Sequence, residues 1–437
     1  MSTPSPIPHA RPTRVAIVGA GPAGTCLATL LARKGVSTVI FDDGKRPDLV
    51  VGESLVPLLV KIFQSLGIED EVRALGVHKP GATFTIDADT AFELSFNAVR
   101  GVLPTYAYNV PRKEFDALML RTALTSGAHL LNAEARLEAV PASPGRAATV
   151  RLSAESLALI PEWKGEPADL LVDASGRRRI FAKLLGIEAD VGPRKDVAHF
   201  AHFTGCTDPE PAGQIVISRL AHGWSWRIPL TEGRLSVGVV INKEAAKGYG
   251  TTGEEVLNSV IERDPRLSRD CADRQRVTPV ATYANYQLIS HRGAGPGWAM
   301  VGDAFGFVDP MLSPGLCMAM QSAEKLAEAI PAQAHDFEHA TAALEAYWRW
   351  FRRFLSAWQD LVDFFYDGRI FAIYKTGIGW SQRYPGKVAD IMERHISKNL
   401  AGMAAGALVD RPYPRGLLRM LARFGIRGAS PADFAIR

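Results

Sequence analysis

Arg14-Val15-Ala16-Ile17-Val18-Gly19-Ala20-Gly21-Pro22-Ala23-Gly24-Thr25 is the stretch on which the fold turns. Arg14 to Val18 is a short apolar run, the pattern of a strand buried on both faces. The glycines follow at once, and an apolar helix is expected from Thr25 to Ala32. In such a strand–turn–helix unit the glycines allow a tight turn, close backbone approach to a pyrophosphate and close helix–strand packing. Gly19, Gly21, Ala23 and Gly24 are the candidate contacts, with Gly21 nearest the phosphates. A second strand, Ser37 to Phe41, ends in Asp42. It lies roughly twenty residues beyond Gly19, where an acidic side chain bonds an adenosine ribose. The expected class is α/β, with a Rossmann-like dinucleotide-binding domain.

Composition bounds the rest. The 437 residues are 47% hydrophobic, an ordinary globular content with room for two or three interleaved domains. A net charge of +4 is too small to argue for nucleic acid. No apolar run reaches the length of a membrane span. Met1 to Pro12 reads as a disordered tail, and the apolar stretch after it, interrupted by Gly and Pro, belongs to the dinucleotide fold rather than to a signal peptide. Cys26, Cys206, Cys271 and Cys317 have no metal-like spacing, so reduced thiols in a cytoplasmic protein are expected.

Further elements recur down the chain. Gly302-Asp303 follows a short strand, Trp298 to Val301, and Phe307, Pro310, Ser313 and Gly315 lead into a helix from Leu316 to Ile330. Backbone amides and an acidic group thus gather at a helix N-terminus, where anions and cofactor oxygens are held. Gly52-Glu53-Ser54, Val110-Pro111-Arg112 with Phe115-Asp116, and Asp173-Ala174-Ser175-Gly176-Arg177 lie between. In Gly223-Trp224-Ser225-Trp226-Arg227-Ile228-Pro229 a strand would carry both indoles on one face.

Taken in this order, the motifs resemble those of flavin-dependent halogenases of the phenol- or pyrrole-type branch, within the FAD-dependent monooxygenases. The resemblance covers roughly the first 330 residues. It implies FAD as cofactor, bound on a fold of the glutathione-reductase or p-hydroxybenzoate-hydroxylase type. Glu53, Ser54, Arg112, Asp173, Gly302, Asp303, Pro310 and Gly315 join the cofactor contacts. Trp224 and Trp226 form a wall between flavin and substrate. Lys79, before a small-residue strand ending in Phe84, matches the lysine that meets hypohalous acid. An ammonium there polarises the O–halogen bond, whereas a neutral amine would form a haloamine. Ser313 is the second catalytic candidate. In the family, amides of the residue after this serine and of the next glycine hold halide. Here the first is Pro314, which has no N–H.

The implied reaction runs from a flavin hydroperoxide through HOX to an electron-rich aromatic ring, free or tethered to a carrier protein. No second nucleotide unit is visible, so reduced flavin would come from a separate flavin reductase. Two alternatives stay open: an aromatic hydroxylase of the same superfamily, which Pro314 favours, and a lipid oxidoreductase similar to geranylgeranyl reductases. The expected domains are FAD-binding (1–75, 100–190, 285–332), a substrate-domain sheet (76–99, 191–284) and a helical C-terminal region (333–437). Helix is expected from Thr341 to Tyr374, its aromatics mostly core. Arg411, Arg415, Arg419, Arg423 and Arg427 recur every fourth residue, a basic helical stripe suited to an acidic carrier protein or a peripheral membrane contact.

Overall fold

Arg14–Val18 runs through a six-stranded sheet in the order Ala294–Gly295, Trp298–Met300, Leu170–Asp173, Arg14–Val18, Ser37–Phe41, His129–Leu131. In this computed structural model, residues 11–437 are described apart from 88–89, 145–146, 285–286, 334–336 and 384–385. The N-terminal tail lies outside the described residues as far as Ala10, and Arg11 is tied to Asp169 at 2.6 Å. All neighbouring strands are parallel except the first pair. Val15, Ala16 and Ile17 are completely buried, as a two-faced apolar strand requires. Parallel pairing brings the carboxyl ends of four strands to one edge. Gly19, Asp42, Ala174 and Val301, far apart in sequence, therefore meet at a single crevice.

A second, eight-stranded sheet stands over that edge. Gly223–Pro229 lies between Leu235–Asn242 and Ile215–Leu220, and Gly81–Thr85 and Ala91–Ser95 extend it. Alternation sorts its faces. Ala198, Phe200 and His202 of Asp196–Thr204 share one side, and Phe200 packs on Trp226. Ala201 and Phe203 pack on the other, with Val256, Leu257, Val260 and Ile261 of the helix Gly253–Arg263. That helix starts on a capping box of Thr252 and Glu255.

The C-terminal helices close the remaining side. Phe337–Tyr366 buries Phe351, Leu355, Trp358 and Phe365. The single run expected from Thr341 to Tyr374 is broken at Gly368, φ +80°, where a Cβ would meet the Pro431 carbonyl at 2.2 Å. A second helix resumes over Arg369–Arg383. The arginine stripe is not one helix either. Pro412–Met420 is α-helical, Leu421–Gly425 is a π-helical turn, and Arg427 lies beyond both. Arg415 and Arg419 pair with Asp360 rather than standing free. No helix among the described residues is long and apolar enough to cross a membrane.

Candidate active site

The glycines of the first turn separate by task. Gly19 has φ +111°, and a Cβ there would lie 2.5 Å from the Ala174 carbonyl; one on Gly24 would lie 2.0 Å from the Gly19 carbonyl. Both positions are closed by the protein itself. A Cβ on Gly21 would meet nothing within 4 Å, because this backbone faces the crevice. Gly21 precedes Pro22, the first residue of the helix Pro22–Arg33, whose early amides have no intrahelical acceptor. Asp42 sits beside it. Its Oδ2 accepts from the Ala20 amide at 2.7 Å and from Arg46 at 3.0 Å, and its Oδ1 from the Gly44 amide at 2.8 Å.

From here the crevice runs in two connected lobes, with Gly21, Pro22, Arg112, Asp303, Phe307 and Pro310 lining both. Arg112 is clamped. It donates to the Val51 carbonyl at 2.6 Å and to both Asp116 oxygens at 3.1 and 3.2 Å. Ala23, Glu53, Ser54, Ser313 and Gly315 line the second lobe.

Three expected contacts do not reach the crevice wall. Asp173 is fully buried and accepts from the Ser175 amide and hydroxyl and from the Phe181 amide, so it shapes the Ala174–Arg178 loop from behind. Burial pushes its carboxyl up, against those hydrogen bonds. Gly302, at φ +56°, gives its amide to Ser322 Oγ, and a Cβ would press on Ala23 at 3.1 Å. Gly24 is the third. All three are internal because strand ends and helix starts must pack before they can present a neighbouring residue.

The second lobe is walled by two indoles and several aliphatic side chains. Trp224 and Trp226 are both buried side by side, centroids 5.7 Å apart, with Ile215, Ile217 and Ile228 beside them. Opposite them begins the helix Pro314–Ala329. Leu312 and Ser313 precede it at φ +68° and +58°. Two successive non-glycine residues in the left-handed region are costly, and such strain gathers at functional sites. The Ser313 hydroxyl caps no amide of the first turn. Gly315 borders the lobe, with the Phe307 ring 3.9 Å from where its Cβ would be. An amide edge of this kind can hold an anion, and Pro314 removes one donor from it.

Lys79 is not the exposed side chain that lysine usually is. It lies on the strand Val77–Lys79 and is 2% exposed. Its Nζ donates to Ser54 Oγ at 2.7 Å and to the Leu55 carbonyl at 2.8 Å, and faces the Phe96 ring at 5.3 Å. Burial lowers its pKa to about 7. The lysine itself is not on the lobe wall; Ser54 is.

Two partners of the lining residues, His202 and Tyr366, carry no local signal in the sequence. His202 Nε2 meets Glu53 Oε1 at 2.5 Å, both side chains buried. Trp224 donates to Tyr366 OH at 2.9 Å, and Tyr366 donates to buried Asp309 at 3.1 Å. Asp309 sits inside the Phe307–Gly315 stretch, so its charge and position were visible. Its partner Tyr366, far along the chain, was not.

Together these features fit a flavin dinucleotide: an open glycine backbone at a helix start, a long two-lobed crevice, and an aromatic wall at its far end. Residues 12–348 match the family model described as an FAD binding domain. The tryptophan 2-halogenase of Chondromyces crocatus is 30% identical over 363 residues, covering 81% of this chain and 68% of that protein. The chain belongs to the flavin-dependent halogenases. It is thereby an FAD-dependent oxidoreductase. The pyrrole-2-carbonyl (peptidyl-carrier protein) chlorinase of Pseudomonas fluorescens is 26% identical, covering 80% of this chain and 83% of its own. Among solved structures, the myxobacterial chondrochloren halogenase CndH superposes with a TM-score of 0.67 at 25% identity, covering 96% and 99% of the two chains. The brominase Bmp2 reaches 0.74 at 22% identity, covering 94% and 98%.

Proposed function

We propose that this protein halogenates an electron-rich aromatic ring, phenolic or pyrrolic, using FAD reduced by a separate flavin reductase. The observation that carries the reading is the convergence, around one lobe, of the Trp224–Trp226 wall, the amide edge at Gly315 and the Ser54–Lys79 pair. Gly19, Gly21, Ala23 and Asp42 would hold the pyrophosphate and ribose, and Arg112, Glu53, Asp303 and Pro310 the flavin end. Reduced FAD, when bound, activates dioxygen and so oxidises halide to HOX. The chain's residues do the rest. Gly315 and Ser313 retain the halide, the indoles keep substrate off the flavin, and Lys79 supplies a proton from behind the lobe. The test is incubation with FAD, a flavin reductase and bromide against a phenol and pyrrole panel, followed by product masses. Hydroxylated products that ignore halide would move the enzyme to the hydroxylase reading, for which Pro314 is the specific support.

Pro314 makes its own prediction. Replacing it by Thr restores an N–H beside Gly315. A buried anion short of one donor loses about 1–3 kcal/mol. The halide concentration for half-maximal rate should therefore fall, by roughly tenfold. An unchanged or raised requirement shows that the missing amide does not limit binding.

Carrier-tethered substrates are part of the reading, since two relatives are named for pyrrolyl carrier proteins. Arg411 and Arg423 are the arginines to test, being exposed and outside the Asp360 pairs. Changing both to Glu should slow a tethered substrate several-fold more than its free analogue, and added salt should narrow the gap. Equal effects on the two substrates would remove this surface from the reaction.

A further inference from the structure

Lys79 reaches the lobe through one atom. Its ammonium is spent on Ser54 Oγ, the Leu55 carbonyl and the face of Phe96. Ser54 accepts from Lys79 and so keeps its own hydroxyl hydrogen for another partner. Among the described residues that hydrogen has no acceptor, and the residue lines the lobe beside Glu53, Gly315 and the two indoles. The backbone fixes it there. Ser54 bridges Asn109, and the next amide, Leu55, donates to the Tyr108 carbonyl at 2.9 Å. Asn109 is itself held by the Gly213 carbonyl at 3.0 Å.

We propose that the Ser54 hydroxyl is the group that meets hypohalous acid, and that Lys79 acts only through it, as the proton reservoir behind the wall. This rests on the halogenase reading above. As the aromatic ring attacks the halogen, the C–X bond forms and the O–X bond breaks, its electron pair leaving on oxygen. The leaving hydroxide takes the Ser54 proton and becomes water, and Ser54 is reprotonated by the Lys79 ammonium. The ring then loses its own proton, which returns along the same pair to the Lys79 amine. The sum is ArH + HOX giving ArX + H2O, with both side chains restored. Ser54 is then a catalytic residue and Lys79 a positioning one. No haloamine forms on Lys79, because Ser54 stands between it and the oxidant.

Two measurements decide this. In the FAD-loaded enzyme with a flavin reductase, Ser54→Ala should lower halogenation by about 100-fold, the usual scale of a lost general acid. Lys79→Met should do the same, and the double variant should be no worse than either, as for residues acting as one unit. Ser54→Thr, which keeps the hydroxyl, should recover most of the rate. Ser54→Ala within about threefold of wild type, or losses that multiply in the double variant, overturns the relay. The second measurement needs no turnover. The FAD-free protein is treated with formaldehyde and a borane, and methylation of Lys79 is read by peptide mass. Wild-type Lys79 should stay unmodified, whereas in Ser54→Gly it should be methylated at least tenfold faster, by an order-of-magnitude expectation for opening a buried amine. Equal labelling in the two proteins overturns the proposal. A wild type that never halogenates would sink the functional reading alone, while the labelling still decides whether Ser54 shields Lys79.

Discussion

Lys79→Ala is expected to lower halogenation by about 100-fold or more, while FAD stays bound and reductase-driven peroxide release continues. Cutting a proton supply of this kind costs about 100- to 10,000-fold, and no lysine is among the described residues that line the second lobe. The charge state of this lysine also fixes the pH dependence. Its pKa is lowered to about 7 by burial, from an ordinary lysine's 10.5. A reaction that draws a proton from the ammonium should decline as pH rises through about 7. Stability moves the other way. Between pH 7 and 10.5 the unfolded chain holds a proton that the folded chain has released, so stability rises with pH across that window. Below 7 the cost of burying the charge is felt in full. Lys79→Met should therefore be more stable than wild type in urea, by a larger margin at pH 6 than at pH 10. Alanine leaves a void as well, so the methionine variant separates charge from packing. Undiminished halogenation in either variant would remove Lys79 from the reaction.

The second large effect is at the other lobe. Gly21→Val should abolish FAD binding, read by flavin fluorescence quenching, without unfolding the protein. The distinction rests on the open space at this position. A Cβ on Gly21 meets no protein atom within 4 Å, so the added valine occupies the crevice rather than the core. Gly24→Val, by contrast, would drive a Cβ to 2.0 Å from the Gly19 carbonyl and should destabilise the fold itself. Circular dichroism of the two variants distinguishes them. Normal flavin affinity in Gly21→Val would count decisively against the pyrophosphate assignment.

The sequence by itself determined the elements whose cause is local. The strand Arg14–Val18, the glycine turn, the helix after it and the strand Ser37–Phe41 were readable because apolar periodicity and backbone conformation act over a few residues. The paired indoles followed from strand alternation alone. Tertiary structure decided what depends on through-space neighbours. Parallel pairing put Ala174 beside Gly19, and Val301 beside Asp173 on the next strand. Burial, not residue type, lowered the Lys79 pKa and drew Asp173 off the crevice. His202 joined Glu53 across 149 residues of chain, and Tyr366 joined Trp224 across 142. The C-terminal arginines looked periodic, yet Asp360, a residue of a different helix, claims two of them. Desolvation, partner choice and access to a cavity are properties of a packed interior, and no window of sequence contains them.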